Sequence, residues 1–196
     1  MIAVRSKTMP ESNHLVRSLT LRNLLSFGPD TLPFSLGSLN VLIGPNGSGK
    51  SNFIEALAVL RAAPGDIRSV IRRGGGVGEW IWKGAPAEQA ACIDLVIDNP
   101  LGVLPLRHVI AFRSESQAFH LHDERIENER PFESWQREAY FYYRYQHGRP
   151  VLNLKGGVER SLQRESIESD QSILGQRRDP DTYDRYRSHL AASKQA

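Results

Sequence analysis

The sequence predicts an α/β fold, on three observations. A short apolar run at residues 39–43 leads straight into the glycine-rich segment Gly44-Pro45-Asn46-Gly47-Ser48-Gly49-Lys50-Ser51-Asn52, and Phe53, Ile54, Leu57 and Leu60 then recur at helical spacing. The segment satisfies G-x-x-x-x-G-K-[ST] at every required position, and its setting between strand and helix is the one a phosphate-binding loop needs. From Glu79 to about Asn153 the pattern becomes two-residue alternation, the mark of an antiparallel meander. The expectation is a P-loop lobe whose mixed sheet carries a phosphate loop and helix, with an antiparallel β meander beside them.

Before the loop, Leu19 and Leu21, then Leu32, Phe34 and Leu36, alternate with polar neighbours around the turn Phe27-Gly28-Pro29-Asp30 and predict a β-hairpin. The run at 39–43 is almost wholly apolar, which predicts a strand buried on both faces. Pro64-Gly65 closes the helix after the loop. A second short helix starts with Asp66 as N-cap, turns Ile67, Val70 and Ile71 inward and stops at Gly74-Gly75-Gly76. Arg68, Arg72 and Arg73 then fall on its other faces or at its end, where they form either an anion-binding group or a plain solvated basic face. In the meander the alternating sets are Trp80 and Trp82, then Ile93, Leu95 and Ile97, then residues 106–112, then Phe119 and Leu121, then residues 140–145. Turns are expected at Asp98-Asn99-Pro100 and His147-Gly148. Beyond Lys155 the sequence is polar, with room for one or two surface helices. The organisation read from this is a flexible N-terminus at residues 1–14, one lobe over residues 15–187 and a flexible tail at residues 188–196.

The loop's chemistry follows from its residue types. Gly44, Gly47 and Gly49 permit backbone angles closed to other residues, so that successive N–H groups turn inward around phosphate oxygens. The helix behind them presents unsatisfied amides and a positive dipole end. Lys50 is expected at the β and γ phosphates, and the Ser51 hydroxyl at Mg2+. These residues imply a nucleoside triphosphate with Mg2+.

The 196 residues suffice for a real core, and the formal net charge of +3 is unevenly spread. Residues 1–75 hold nine Lys and Arg against four Asp and Glu, leaving 16 against 18 of the totals 25 and 22. That skew suits a nucleotide or DNA and is too mild to define a DNA-binding face. No run approaches a membrane span and no signal peptide is legible, so a cytoplasmic location is expected, with no membrane partner. Cys92 is the single cysteine, which leaves no intrachain disulfide, and its apolar alternating setting reads as core.

LTLRNLLSFG followed by LNVLIGPNGSGKSNFIEAL resembles the N-terminal segment of the SMC, RecF and double-strand-break-repair ATPases, the ABC-type branch of P-loop proteins. Downstream, GDIRSVIRRGGGVGEWIWKG, GRPVLN and DQSILGQRRDPDTY resemble the prokaryotic predicted AAA-type ATPases grouped with RecF and SMC, and the likeness runs from about Leu15 to about Tyr186. The resemblance implies an ABC-type head that dimerises with ATP between the phosphate loop of one copy and a signature loop of the other, or that is completed by a partner chain. It implies work in nucleic-acid repair, chromosome handling or phage defence, with DNA or a nuclease as partner. It also implies that residues 23–27 meet adenine and ribose, that Arg68, Arg72 or Arg73 stands in an arginine loop near the nucleotide, and that Gln171 senses the γ-phosphate and Mg2+. Lys50, Arg72 and Arg73 are thereby the catalytic candidates.

Hydrolysis in that branch calls for four apolar residues followed by Asp-Glu, and no such Walker B segment occurs in the chain. Leu95-Val96-Ile97-Asp98 comes nearest, but Asn99-Pro100 follows, and alternation with Asp94 predicts a half-exposed strand. Leu154-Lys155-Gly156-Gly157 imitates the signature L-S-G-G with Lys155 in place of the serine, and reads as a plain turn. The expectation is the front part of a head, truncated before Walker B or completed by a separate chain. ATP binding coupled to hydrolysis once the head is complete leads; a non-hydrolysing nucleotide-binding interaction module is the alternative. A small-molecule kinase fits less well, because a hairpin precedes the loop strand and a meander follows. His120 and His122 share a strand face without a third metal ligand, and read as exposed strand histidines. Tyr140, Phe141, Tyr142, Tyr143 and Tyr145 with Arg144 could stack bases, and a packed aromatic strand explains them better.

Overall fold

The computed structural model describes residues 3–7, 15–86, 89–99, 102–146, 148–154, 158–161 and 168–176. Among them the strands are β1 (Ala3–Lys7), β2 (Val16–Arg22), β3 (Phe34–Ser35), β4 (Leu39–Ile43), β5 (Ala91–Ile97), β6 (Leu106–Glu115), β7 (Ala118–Asn128), β8 (Phe141–Gln146), β9 (Arg149–Leu154) and β10 (Val158–Ser161). The helices are α1 (Lys50–Ala62), α2 (Ile67–Arg73), α3 (Val77–Trp80) and α4 (Ile173–Gln176). Eight strands pair in the order β10-β9-β8-β7-β6-β5-β2-β3, every pair antiparallel, while β1 and β4 form a separate antiparallel pair. No parallel pair occurs among the described strands, so the mixed sheet expected from the sequence is here antiparallel throughout.

Period-two side-chain alternation gives the large sheet one apolar and one charged face. Leu19 stands opposite Leu95, Leu21 opposite Ile93, Ile93 opposite Ile110 and Ile126 opposite Tyr143. These residues share one buried cluster with Phe53, Ala56, Val59 and Leu60 of α1, Ile67 and Ile71 of α2, Val77 and Trp80 of α3, and Ile173 and Leu174 of α4. On the other face Arg107 bonds Asp94 through Nε (2.9 Å) and Nη2 (2.7 Å) and reaches Glu127 at 3.3 Å. Hydrogen bonding to Asp94 raises the Arg107 pKa further, so this guanidinium stays charged. Asp94 is therefore buried rather than half-exposed as the alternation suggested, because its carboxylate has a cation to meet.

Several expectations are corrected. β4 is not buried on both faces: Leu39 is 62%, Val41 50% and Ile43 47% exposed, because β1 is its one neighbour among the described strands. Ile54, read as apolar lining of α1, also faces outward. Trp80 and Trp82 do not alternate along a strand, since Trp80 ends α3 and its indole Nε1 donates to the Ile71 carbonyl at 3.1 Å. The polar C-terminal part holds β10, which the sequence did not suggest, and α4 is packed into the core rather than laid on the surface. The β6–β7 turn at Ser116 and Gln117 takes positive φ (50° and 64°) without the Asn-Gly that usually announces one. Residues 1–2, 8–14 and 188–196 of the expected flexible ends lie outside the described residues, as do Pro100 and His147 of two expected turns.

Cys92 lies on the charged face in contact range of Asp94, half-buried rather than core, and burial pushes its thiol from about 9 up to about 11. The folded chain thus favours the protonated thiol; this contribution to stability is complete below pH 9 and is lost as pH rises through about 11. At pH 8 a thiol reagent is expected to modify the native chain about a hundredfold more slowly than the urea-unfolded chain. Equal rates would contradict the burial.

Candidate functional site

Residues 44–49 connect β4 to α1. Gly47 (φ 75°) and Gly49 (φ 100°) adopt left-handed backbone, where a Cβ would be strained, whereas Gly44 is not among the positive-φ residues, contrary to the reading of all three glycines. Gly49 is also held by space: a Cβ on it would stand 2.6 Å from Ser26 Oγ and 3.5 Å from the Phe27 ring. The loop therefore lies against the turn at residues 23–27. That turn is itself specialised, with Asn23 and Leu25 at φ 51° and 52°. It is pinned by Leu25 N–H to the Trp80 carbonyl (2.7 Å) and Trp82 N–H to the Asn23 carbonyl (2.9 Å).

The N-terminus of α1 has Gly49 as cap, no side-chain capping bond and no acidic residue in its first turn. Its leading amides and the positive dipole end are left for an external anion. Lys50 Nζ donates to the carbonyls of Gly44 and Pro45, both at 2.8 Å, and Ser48 N–H to Pro45 at 3.2 Å. The Ser48 hydroxyl is buried with no hydrogen-bond partner among the described residues. Pro45, Asn46, Gly47 and Ser51 are exposed, with Asn52 half-buried behind them. The loop offers donors and one cation without a carboxylate, which fits a polyphosphate once the carbonyls of Gly44 and Pro45 give up Lys50. Release of Lys50 from the two carbonyls is the rearrangement such a ligand requires.

The arginines of α2 are placed differently from one another. Arg68 is not free for an anion: its Nη1 meets Asp170 Oδ2 at 2.7 Å and its Nε meets Asp66 Oδ1 at 3.4 Å, and the bond to Asp170 raises its pKa. Asp66 occupies the N-cap position without a capping bond because its carboxylate turns toward Arg68 and Arg72. Arg72 reaches Asp66 at 3.7 Å and remains largely exposed, and exposed Arg73 donates to the Ser69 carbonyl at 3.3 Å. Gln171 donates to Glu168 at 2.9 Å. The structure brings Arg68 to residue 170, while no hydrogen bond or ion pair among the described residues joins Arg68, Arg72, Arg73 or Gln171 to the loop.

Other candidates resolve into structure. Leu95-Val96-Ile97 lies in β5 between β2 and β6, and Asp98 is engaged by Arg17. Tyr143 and Tyr145 are core residues, and Arg144 stacks on Phe141 with 4.4 Å to the ring centroid. His120 faces Glu115 at 3.6 Å, and no group of three His, Cys, Asp or Glu suited to a metal occurs among the described residues. Lys155-Gly156-Gly157, and the end of DQSILGQRRDPDTY from residue 177 onward, lie outside the described residues. Glu124, His108 and Ser172 were missed: all are wholly buried, with Ser172 Oγ–H and Ile173 N–H donating to the Glu124 carboxylate at 2.6 Å each. The available signal was a polar residue in apolar phase, since Glu124 and Ile126 share a strand face with Ile110 and His108. A bulge between Ala111 and Phe112 shifts that phase after Leu121 and hides it.

Residues 39–190 match the family AAA_21, described as "AAA domain, putative AbiEii toxin, Type IV TA system". Curated relatives include the chromosome partition protein Smc of Mycobacterium leprae, 39% identical over 98 residues, and that of Desulfitobacterium hafniense, 33% identical over 97 residues. Each alignment covers 47% of this chain and 8% of the relative. A third Smc, from Cereibacter sphaeroides, is 44% identical over 64 residues, 31% of this chain and 5% of the relative. The chain thus spans less than a tenth of the length of these relatives. No helix among the described residues is long and apolar enough to cross a membrane.

Gly49→Ala joins a strained φ to a clash with Ser26, and a loss of about 1–3 kcal/mol is expected in urea unfolding. An unchanged midpoint would show that the loop is not seated against the turn.

Proposed function

Because this chain belongs to the AAA_21 family of AAA domains, we propose that its activity is the binding of ATP with Mg2+ by residues 44–52, in a head of the ABC type related to RecF and SMC ATPases. The observation that carries this is the uncapped start of α1 without an acidic residue in its first turn, beside left-handed Gly47 and Gly49, the Ser48 hydroxyl that is unpartnered among the described residues, and the Lys50 ammonium. Lys50 would neutralise the β and γ phosphates, Ser51 would supply an oxygen to Mg2+, and residues 23–27, seated against Gly49, would receive adenine and ribose.

Binding rather than turnover is the activity for which this chain holds the residues. Four apolar residues followed by the water-activating Asp-Glu do not occur in the sequence: the one Asp-Glu step, Asp123-Glu124, follows His120-Leu121-His122 with Glu124 buried on Ser172 and Ile173, and the nearest apolar imitation is an antiparallel strand with Asp98 engaged by Arg17. A nucleotide-binding interaction module is therefore the reading of this lobe on its own, and hydrolysis belongs to a head completed by further residues, a partner chain or a second copy. The exposed Leu39, Val41, Ile43 and Ile54 support such a complement, since a strand that enters a crossover helix ordinarily has a parallel neighbour. The name of the Smc relatives favours chromosome partition as the setting, and the family description favours a toxin–antitoxin system.

Lys50→Ala is expected to abolish ATP affinity in calorimetry while moving stability by no more than about 1 kcal/mol, because its bonds are to exposed loop carbonyls. Equal affinity in mutant and parent would refute the site. Arg72→Ala and Arg73→Ala are expected to leave ATP affinity within about twofold and to lower turnover in a completed head, the range over which arginine fingers act being about 10³ or more. A large loss of affinity with unchanged turnover would reverse that assignment.

A further inference from the structure

Residues 168–176 cross from the meander to the helices and are fixed at both ends. Glu124, wholly buried on the apolar face of β7, accepts Ser172 Oγ–H on Oε1 and Ile173 N–H on Oε2, both at 2.6 Å, with His108 Nε2 3.2 Å from Oε1. The Ser169 carbonyl accepts Leu121 N–H at 2.7 Å, which ties the same segment to the other half of β7. On the helical side Asp170 pairs with Arg68 of α2, and Gly175 sits so close to the end of α1 that a Cβ would lie 2.5 Å from the Gly65 carbonyl and 3.3 Å from that of Ala63. The segment also closes on itself. Glu168 N–H donates to Gln176 Oε1 and Gln176 Nε2 to the Glu168 carbonyl, each at 2.7 Å. A loop bonded to itself in this way moves as one piece.

We propose that residues 168–176 are a strap that transmits occupation of the glycine-rich loop to the meander, with Glu124 as its latch; the transmission, though not the latch, rests on the nucleotide reading above. α1 has 13 residues and a length of about 20 Å, with one end at Gly49 in the loop and the other under Gly175. A shift of α1 when the loop fills is delivered at Gly175, because backbone there abuts backbone with no side chain to absorb it. The latch makes the response discrete. Once Ser172 and Ile173 leave Glu124, two buried donors lose their partner together and the buried carboxyl group keeps only His108, so intermediate positions are disfavoured. Glu124 is thus a positioning residue: it acts on Asp170 and Gln171 through Ser172, without touching the loop.

Hydrogen exchange of the full chain tests both parts. Glu124→Ala is expected to speed exchange at residues 172–176 at least tenfold while β5 and β6 keep their protection, with part of it restored in Glu124→Gln. Ser172→Ala, which removes one bond, should show the same local pattern in smaller measure and serves if Glu124→Ala does not fold. Loss of protection spread evenly over the meander, or none, overturns the latch. With magnesium and a non-hydrolysable ATP analogue, exchange at residues 168–176 should change at least threefold in the parent. In Gly175→Ala the analogue should bind with unaltered affinity and the strap should no longer respond. Binding by calorimetry with no change at the strap overturns the transmission and leaves the nucleotide site standing. Absence of binding overturns the nucleotide reading and transmission together, and Glu124→Ala then decides the latch alone.

Discussion

The close approach of Gly49 to Ser26 and Phe27 is the constraint on which the functional half of the molecule depends. It holds the start of α1 against a turn that two residues keep at positive φ. That turn rests on the backbone of residues 80–82, and Trp80 in turn is buried with its indole on the Ile71 carbonyl of α2. Gly74 closes the chain of contacts, because a Cβ there would stand 2.5 Å from the Trp80 indole nitrogen. Loop, turn, α3 and α2 are thereby one packed unit in which two close approaches, at Gly49 and Gly74, leave no room for a side chain. Arg72 and Arg73 are carried on its far member. Their placement relative to the loop is a property of packing through Trp80, not of any direct bond to the loop.

Much of this was legible wherever one periodicity ruled. The hairpin of β2 and β3, the limits of α1 and α2 and the alternation of β5 to β8 follow from apolar spacing and from Gly and Pro at the right places. β4 was misread for a physical reason: composition reports that a strand is able to be buried, and not whether a neighbour covers it. Trp80 was misread because two tryptophans at i and i+2 mimic a strand, while Gly74, Gly75 and Gly76 ahead of them leave space for a single helical turn. At the candidate loop the motif announced the left-handed backbone of Gly47 and Gly49, and not that of Gly44. The internal bonds of Lys50 were not visible in it, since a motif encodes the liganded task and not the conformation that precedes it.

The buried pair of Glu124 and His108 illustrates a different limit. Single strands carry a clean apolar phase only while their register holds, and the bulge beside Phe112 moves β7 by one residue at the point where its polar residues begin. Read without the bulge, Glu124 falls in step with His120 and His122, on the face opposite Phe119 and Leu121. In the structure the phase turns it inward, to a place where a carboxylate is tolerated because Ser172, Ile173 N–H and His108 surround it. Such a group specifies which segment covers it, as a purely apolar position would not.

Two parts of the molecule satisfy themselves in this conformation, and they do so unequally. At the loop, the Lys50 ammonium and the Ser48 amide are spent on the carbonyls of Gly44 and Pro45 at an exposed site, where water replaces such bonds at little cost. At the strap, the bonds to Glu124 are short and buried, and water has no access to replace them. The loop is therefore the easy element to rearrange and the latch the resistant one. On the proposed nucleotide reading, a triphosphate would bring to the loop more negative charge than two carbonyl dipoles, and the exchange of Lys50 from carbonyl to phosphate would run downhill. In the proposed strap such a displacement of α1 would meet the element that yields last, and a resistant endpoint turns a small local shift into a change between two defined arrangements.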